Sequence, residues 1–345
     1  MMPVALVACT SPRTVAPAAV AVGAERLPSM AKVQFSGLAD AEAAAATSPR
    51  VERVSRREHY RIELGPYALE IDAEDGARVV RFSLDGQNAL VEREQSPEAY
   101  GSSFWPSPQS DWQWPPPFEF ALLPWHATVS EAGELVLRSG TNQKLGLAAE
   151  QRVFAEPEHD CFAFVYTLVN RGTAPRKVAP WQNSRVRPGG LTFYPSAERT
   201  LPQSTLELAP NDGIVWFLHD PATMKRSGKA FGDASEGWLA QVDGRLLFLK
   251  LFPDVPKERQ APGEAEIEIY VHETGRFVEM EQQGAYAELA PGSTSSWTVR
   301  WLLRRLPDGL EAKPGSVELV RFVRGVIAEV RASRTKPNSA ARTDP

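Results

Sequence analysis

A chain of 345 residues with 43% hydrophobic content is long enough for one large domain or two modest ones, with a sizeable core. The formal net charge is −5 and no basic stripe runs through the body, which argues against nucleic acid as the main partner. Cys9 and Cys161 are the only cysteines, which excludes zinc ribbons and disulfide scaffolds, and no run of about 18 apolar residues exists to form a membrane-spanning helix.

The chain opens with Leu6-Val7-Ala8-Cys9, which resembles a bacterial lipobox. The stretch before Cys9 lacks a positive region and is shorter than a full signal peptide, so either the true start lies upstream or the match is accidental. On the first reading residues 1–9 are a signal remnant and Cys9 is lipidated. The protein is then a periplasmic-side lipoprotein of the bacterial cell envelope, touching membrane only through that anchor. On the second it is cytoplasmic. Residues 10–57 read as an Ala/Pro-rich disordered tether with Phe35 as sole aromatic, since such a segment buries too little apolar surface to offset its ordering entropy.

From residue 58 the pattern changes. Residues 60–64, 67–71 and 78–84 alternate apolar and polar side chains, with Gly65-Pro66 and Asp75-Gly76 between them, as antiparallel strands joined by turns do. Residues 88–91, 126–129, 134–138 and 145–154 continue the habit. Residues 162–169 form a continuous apolar run, as in a strand covered on both faces, with Cys161 a buried small hydrophobe at its start. Further strands are expected at 176–186, 191–194, 213–218, 238–242, 245–251, 265–271, 277–281 and 295–303. No helical pattern is long enough for crossover connections, so residues 58–306 read as an all-β body, a large antiparallel sandwich. Only the end differs. Ser316 is the expected N-cap of a helix over 315–331, with Leu319, Val320, Val323, Val326, Ile327 and Val330 on one face. Residues 332–345 read as a solvated, disordered tail.

Residues 104–118 interrupt the strands with Trp105, Trp112, Trp114 and five prolines. Proline fixes φ and removes an amide donor, so this stretch is expected to be neither helix nor central strand but a stiff, extended loop. Its indoles, with Gln109, Asp111 and Gln113, either form one wall of a binding pocket or pack onto a sheet as a lid; the two are compatible.

Several pieces in order resemble the galactose mutarotase-like (aldose 1-epimerase-like) superfamily. Residues 67–88 are similar to its first meander, residues 166–181 to its central strands, and residues 268–301 to its closing strands. The Trp-Pro-x-Pro-Gln…Trp-Pro-Pro-Pro loop is similar to an uncharacterised bacterial branch. The resemblance covers residues 58–306 and implies a β-supersandwich with a sugar site on a concave sheet face. Aldose epimerisation needs a base and an acid across the sugar, a glutamate and a histidine in that superfamily. Glu279 matches the glutamate by position, with Glu281 beside it. Two-residue periodicity puts both on one sheet face, where repulsion raises one pKa if water is shielded; the alternative is two solvated strand glutamates. The histidine has no counterpart, because Trp181-Gln182-Asn183-Ser184-Arg185 stands in its place. His126 and His272 are candidate substitutes, though a lone strand histidine is more often structural. His59, His159 and His219 read as surface or turn residues.

Sugars present apolar faces and polar rims, so a site wants aromatics plus directional polar groups. Trp105, Trp112, Trp114 and Trp181 are candidates for the first; Gln109, Asn183, Arg185, Lys250 and Glu279 for the second. Lys250, alone in an apolar strand, is expected at an edge or paired with a group such as Glu279. Arg185 and Arg187 would suit an acidic sugar, or are solvated. No metal-ligand spacing, phosphate loop or nucleophile elbow is present, so no metal or cofactor is expected. Two functions follow: a saccharide-binding envelope protein with at most epimerase-like turnover, or a non-catalytic structural or assembly lipoprotein that kept only the fold.

Overall fold

The structure, a computed structural model, describes residues 49–333 apart from Arg56, residues 199–203, Thr223 and Lys225. In chain order the strands begin with β1 (Arg50–Arg53), β2 (His59–Leu64), β3 (Tyr67–Asp72), β4 (Arg78–Leu84), β5 (Gln87–Asn88) and β6 (Ser102–Ser107). The short helix α1 (Phe118–Ala121) precedes β7 (His126–Val129), β8 (Leu135–Arg138), β9 (Leu147–Glu156), β10 (Cys161–Asn170), β11 (Arg176–Val186) and β12 (Leu191–Pro195). Then come β13 (Ala209–Asn211), β14 (Ile214–Leu218), β15 (Gly228–Gly232), β16 (Trp238–Asp243) and β17 (Leu246–Leu251). The last strands are β18 (Ile267–Val271), β19 (Val278–Gln283), β20 (Ala287–Leu289) and β21 (Thr294–Arg305), before helix α2 (Val317–Ser333).

Among the described residues these strands make two sheets. The first has eleven, with the path β1-β2-β3-β4-β6-β11-β19-β18-β15, β5 beside β4 and β20 beside β11. The second has ten, ordered β13-β14-β12-β16-β17-β21-β10-β9-β8-β7. The central pairings are antiparallel. Between the sheets, alternate side chains interdigitate: Phe104 stacks on Tyr166 with centroids 4.5 Å apart, and Phe82 meets Phe248 at 5.4 Å. Such pairs add directional attraction to burial worth about 1.5–3 kcal/mol per large side chain. The opposite face of the second sheet, with Phe193, Trp216, Trp238 and Leu249, is covered by Leu319, Val323 and Ile327 of α2. Ser316 caps that helix, its Oγ accepting from Leu319 N at 3.2 Å. The layers therefore run sheet, sheet, helix, and the all-β supersandwich with a C-terminal helix is the observed architecture.

Two expectations are corrected. The tether does not extend to residue 57, because Arg50–Arg53 pairs with β2 as an edge strand. Residues 10–48, Cys9 and residues 334–345 lie outside the described residues. The proline-rich stretch is not wholly loop: residues 102–107 form a central strand between β4 and β11, followed by a 3-10 turn at Gln109–Asp111 and then α1. Pro106 is tolerated there because it faces Pro180 of β11. Two prolines can oppose each other only as a non-hydrogen-bonded pair, whose main-chain groups point away from the partner strand. Accordingly the Pro106 carbonyl accepts from Trp112 Nε1 at 2.7 Å and the Pro180 carbonyl from Gly284 N at 2.8 Å.

Candidate functional site

Register decides which side chains of the first sheet face the second and which face away. Gln182 of β11 faces inward, accepting from Trp301 Nε1 at 3.0 Å, so Trp181, Asn183 and Arg185 face outward. Trp181 is level with Trp105 and Gln283, Asn183 with Ser103 and Glu281, and Arg185 with Glu279. Glu281 is level with Glu268 of β18 and Glu279 with Tyr270, which is itself level with Lys229 of β15. Five strands thus bring Trp105, Trp181, Asn183, Arg185, Glu279 and Glu281 to one outer face, joined by Glu268 and Lys229.

Two bonded chains frame this face. Arg185 Nε donates to Glu279 Oε1 at 2.9 Å, and Arg185 and Arg78 both donate to Ser103 Oγ, at 2.8 and 2.9 Å. On the other side Ser107 Oγ donates to Gln283 Oε1 at 2.6 Å, and Gln283 Nε2 donates to Glu268 Oε1 at 2.8 Å. Lys229 closes that chain by pairing with Glu268. Between the chains the polar groups go unsatisfied. Asn183 is 0% exposed, and neither atom of its amide has a partner. Glu281 Oε2 and the Trp105 indole nitrogen are likewise buried without a hydrogen bond, and the Trp181 N–H has no partner at full hydrogen-bond geometry although it lies near enough to Glu281 to act on it. Each such group costs about 1–3 kcal/mol when left bare.

Burial is the main cause of the Glu281 shift, carrying its carboxyl up to about 7; Lys229 opposes it, Glu279 adds to it, and Arg185 and the Trp181 N–H oppose it. Glu268 moves the same way, first by burial and then by repulsion from Glu281. Burial works against the Lys229 ammonium, but Glu281 and Glu268 outweigh it and raise its pKa.

The tryptophans do not present open platforms. Trp105 meets Trp112, Trp114 and Trp181 edge-on at 6.1, 6.2 and 5.5 Å, and of the four only Trp114 is exposed, at 70%. Arg185 lies 5.3 Å over the Trp105 ring and Lys229 5.4 Å over Trp181, so the protein's own cations occupy those faces. Gln109 stands at the margin, its backbone N–H donating to Glu264 Oε1 at 2.8 Å.

Lys250 is not part of this face, nor is it at an edge or paired with Glu279. It reaches from β17 across the interior to the Met280 carbonyl at 3.0 Å and Gln282 Oε1 at 2.9 Å, behind β19. Burial drives its pKa well below that of an ordinary lysine. Arg187 pairs with Asp243 at 2.8 Å, away from the site. The histidine substitutes do not reach it either: His126 is exposed on the edge strand β7, and His272 sits in the turn after β18 against Thr274. His159 and His219 are buried rather than on the surface. Glu268 and Lys229 were missed because β15 is only five residues bounded by glycines, and nothing in sequence tells which neighbour a carboxylate meets across a sheet.

Fold and site together define a two-sheet supersandwich protein with a buried, ionisable outer face on one sheet. The chain belongs to the family described as "Domain of unknown function (DUF4380)", whose model matches residues 60–304. In structure it is similar to the Slr1438 protein from Synechocystis sp. PCC 6803, at 14% identity, covering 75% of this chain and 98% of that chain with a TM-score of 0.53. It is also similar to a TPR-domain containing protein from Parabacteroides distasonis ATCC 8503, at 11% identity, with 82% of this chain and 56% of that chain covered and a TM-score of 0.51. A galactose mutarotase-like protein from Lactobacillus casei ATCC 334 is similar at 11% identity, with 71% and 99% covered and a TM-score of 0.49. No curated protein matches the chain. At these identities the likeness is one of fold.

Proposed function

We propose that this protein binds a saccharide on the outer face of its first sheet, around Asn183, Glu281 and Glu279. The observation that carries this reading is the set of buried, unpartnered groups: amide donor and acceptor of Asn183, a carboxyl oxygen of Glu281, and the Trp105 N–H. A polyol ring carries a hydroxyl array that both donates and accepts, and satisfies such a set without bringing charge. Binding ranks above turnover, since the imidazole that the superfamily resemblance leads one to expect is missing. The burial of the face and the cations over its indoles favour a second reading, a structural or assembly protein that kept the fold without the ligand.

Thermal shift against a panel of neutral and acidic sugars separates the two. A specific ligand present at a hundredfold excess over its Kd adds about 2.7 kcal/mol of stability, whereas Asn183→Ala should lose that gain. No sugar raising Tm, or an equal response in Asn183→Ala, sinks the reading. The envelope location belongs to the same proposal and rests on Cys9. Palmitate labelling of the precursor should disappear in Cys9→Ser, and equal labelling ends that part.

A further inference from the structure

Besides Arg78, which is paired with Asp75, three carboxyls and two cations occupy the outer face, and the pairing is explicit. Arg185 holds Glu279, and Lys229 holds Glu268. Glu281 is the remainder: 1% exposed, in no contact ion pair although Lys229 and Arg185 act on it, and with Oε2 unbonded beside the unpartnered amide of Asn183. A fully buried carboxylate lacking a partner is driven to its neutral form. We infer that Glu281, level with Glu268 across the sheet, is the proton store of this site, and that Lys229, shared between the two carboxyls, sets how tightly the proton is held.

Every charged neighbour bears on that balance. On its own strand stands Glu279; from β11 comes Arg185, from β18 Glu268 and Tyr270, and from β15 Lys229. Glu264 adds charge from the loop before β18, acting on Lys229 and Glu268, and Lys250 lies behind the strand. Lys229 is the adjustable member, because its ammonium attracts both Glu268 and Glu281. The inference rests on the saccharide reading for its chemistry, though not for its proton. In that chemistry Glu281 replaces the missing imidazole. Glu279 takes the anomeric hydroxyl proton, and the O–H electron pair becomes the second bond of a carbonyl. The bond from anomeric carbon to ring oxygen then breaks, and the ring oxygen takes its proton from Glu281. Closure on the other face returns both protons. Glu279 and Glu281 are two residues apart on one strand face, with Cα atoms about 7 Å apart, so their carboxyls can converge on the anomeric hydroxyl and the ring oxygen, which share one carbon.

The test needs no sugar to begin. Infrared difference spectra of the unliganded full chain should contain a protonated carboxyl component that fades as pH rises through about 7 and is missing in Glu281→Gln, while the components of Glu266 and Glu268 remain. Glu268→Gln releases Lys229 to Glu281 and should move the transition down by about one unit or more, whereas Lys229→Met should move it up by a similar amount. Lys229 is partly exposed, so that variant remains informative if the buried ones fold poorly. A spectrum whose transition near pH 7 is unchanged by Glu281→Gln, or a transition unmoved by Glu268→Gln and by Lys229→Met, overturns the proposal. Polarimetry on fresh α-glucose and α-galactose then reads the chemistry. Acceleration lost in Glu281→Gln supports the acid role. An intact transition without acceleration leaves the stored proton standing and sinks only the turnover.

Discussion

Glu281 holds its proton in the folded chain over a pH range where the unfolded chain has released it, and stability must therefore depend on pH through this residue. Its carboxyl rises from 4.5 to about 7 on folding. Below about 4.5 both states are protonated; between there and 7 only the native state is, so stability falls as pH rises through this window. The loss is at most about 3 kcal/mol, with neighbouring charges sharing it. Glu281→Gln should flatten this dependence and make the protein more stable than the parent near pH 8, a gain in stability where function is expected to suffer. Urea unfolding at about pH 5 and pH 8 measures it; a parent and variant with parallel slopes would contradict it. Lys250 has the opposite sign, because burial lowers the pKa of its amine in the fold and the unfolded chain binds that proton more readily. Sequence put Glu279 and Glu281 on one face correctly, since alternation is a property of any strand. It misjudged Lys250, because a long side chain can cross to the facing sheet and no periodicity records that.

At the scale of elements, the tryptophan stretch divides into a strand that packs and a segment that protrudes. Trp181, 1% exposed, is wedged among Trp105, Trp112 and the Lys229 ammonium, whereas Trp114 reaches solvent. Trp181→Ala should cost about 3–5 kcal/mol, and Trp114→Ala within about 0.5 kcal/mol. If Trp114 takes part in recognition, its variant lowers ligand affinity at unchanged Tm. A Trp114→Ala variant that loses several kcal/mol would show that the segment is structural. The strand β15 makes the complementary point about what sequence conveys. Its glycines look like breakers, yet a Cβ on Gly232 would overlap the Tyr194 hydroxyl and one on Gly228 the Leu206 side chain. They are there for close packing against another element, which only the assembled fold reveals.

For the whole molecule, alternation and turn chemistry carried most of the architecture, because two large sheets impose the same two-residue period on nearly every segment. The sheet order was not legible, since strands such as β6, β11 and β19 meet across more than 170 positions of chain, as in the Ser107–Gln283 bond. Helix α2 matters at this scale too: it shields Phe193, Trp216, Trp238 and Leu249. Ending the chain before residue 315 should expose that surface, lowering soluble yield and raising dye binding; a truncated protein with unchanged Tm would contradict the layered account. The proline pair has a consequence of the same reach. Were β6 to slide by a single position along β11, its side chains would all invert and the Pro106 nitrogen would be asked for a hydrogen it does not carry. Two residues with no chemistry of their own thereby act as a ratchet tooth, and the direction in which Ser103, Trp105 and Ser107 look, toward Asn183 and Trp181 or away from them, is decided by them.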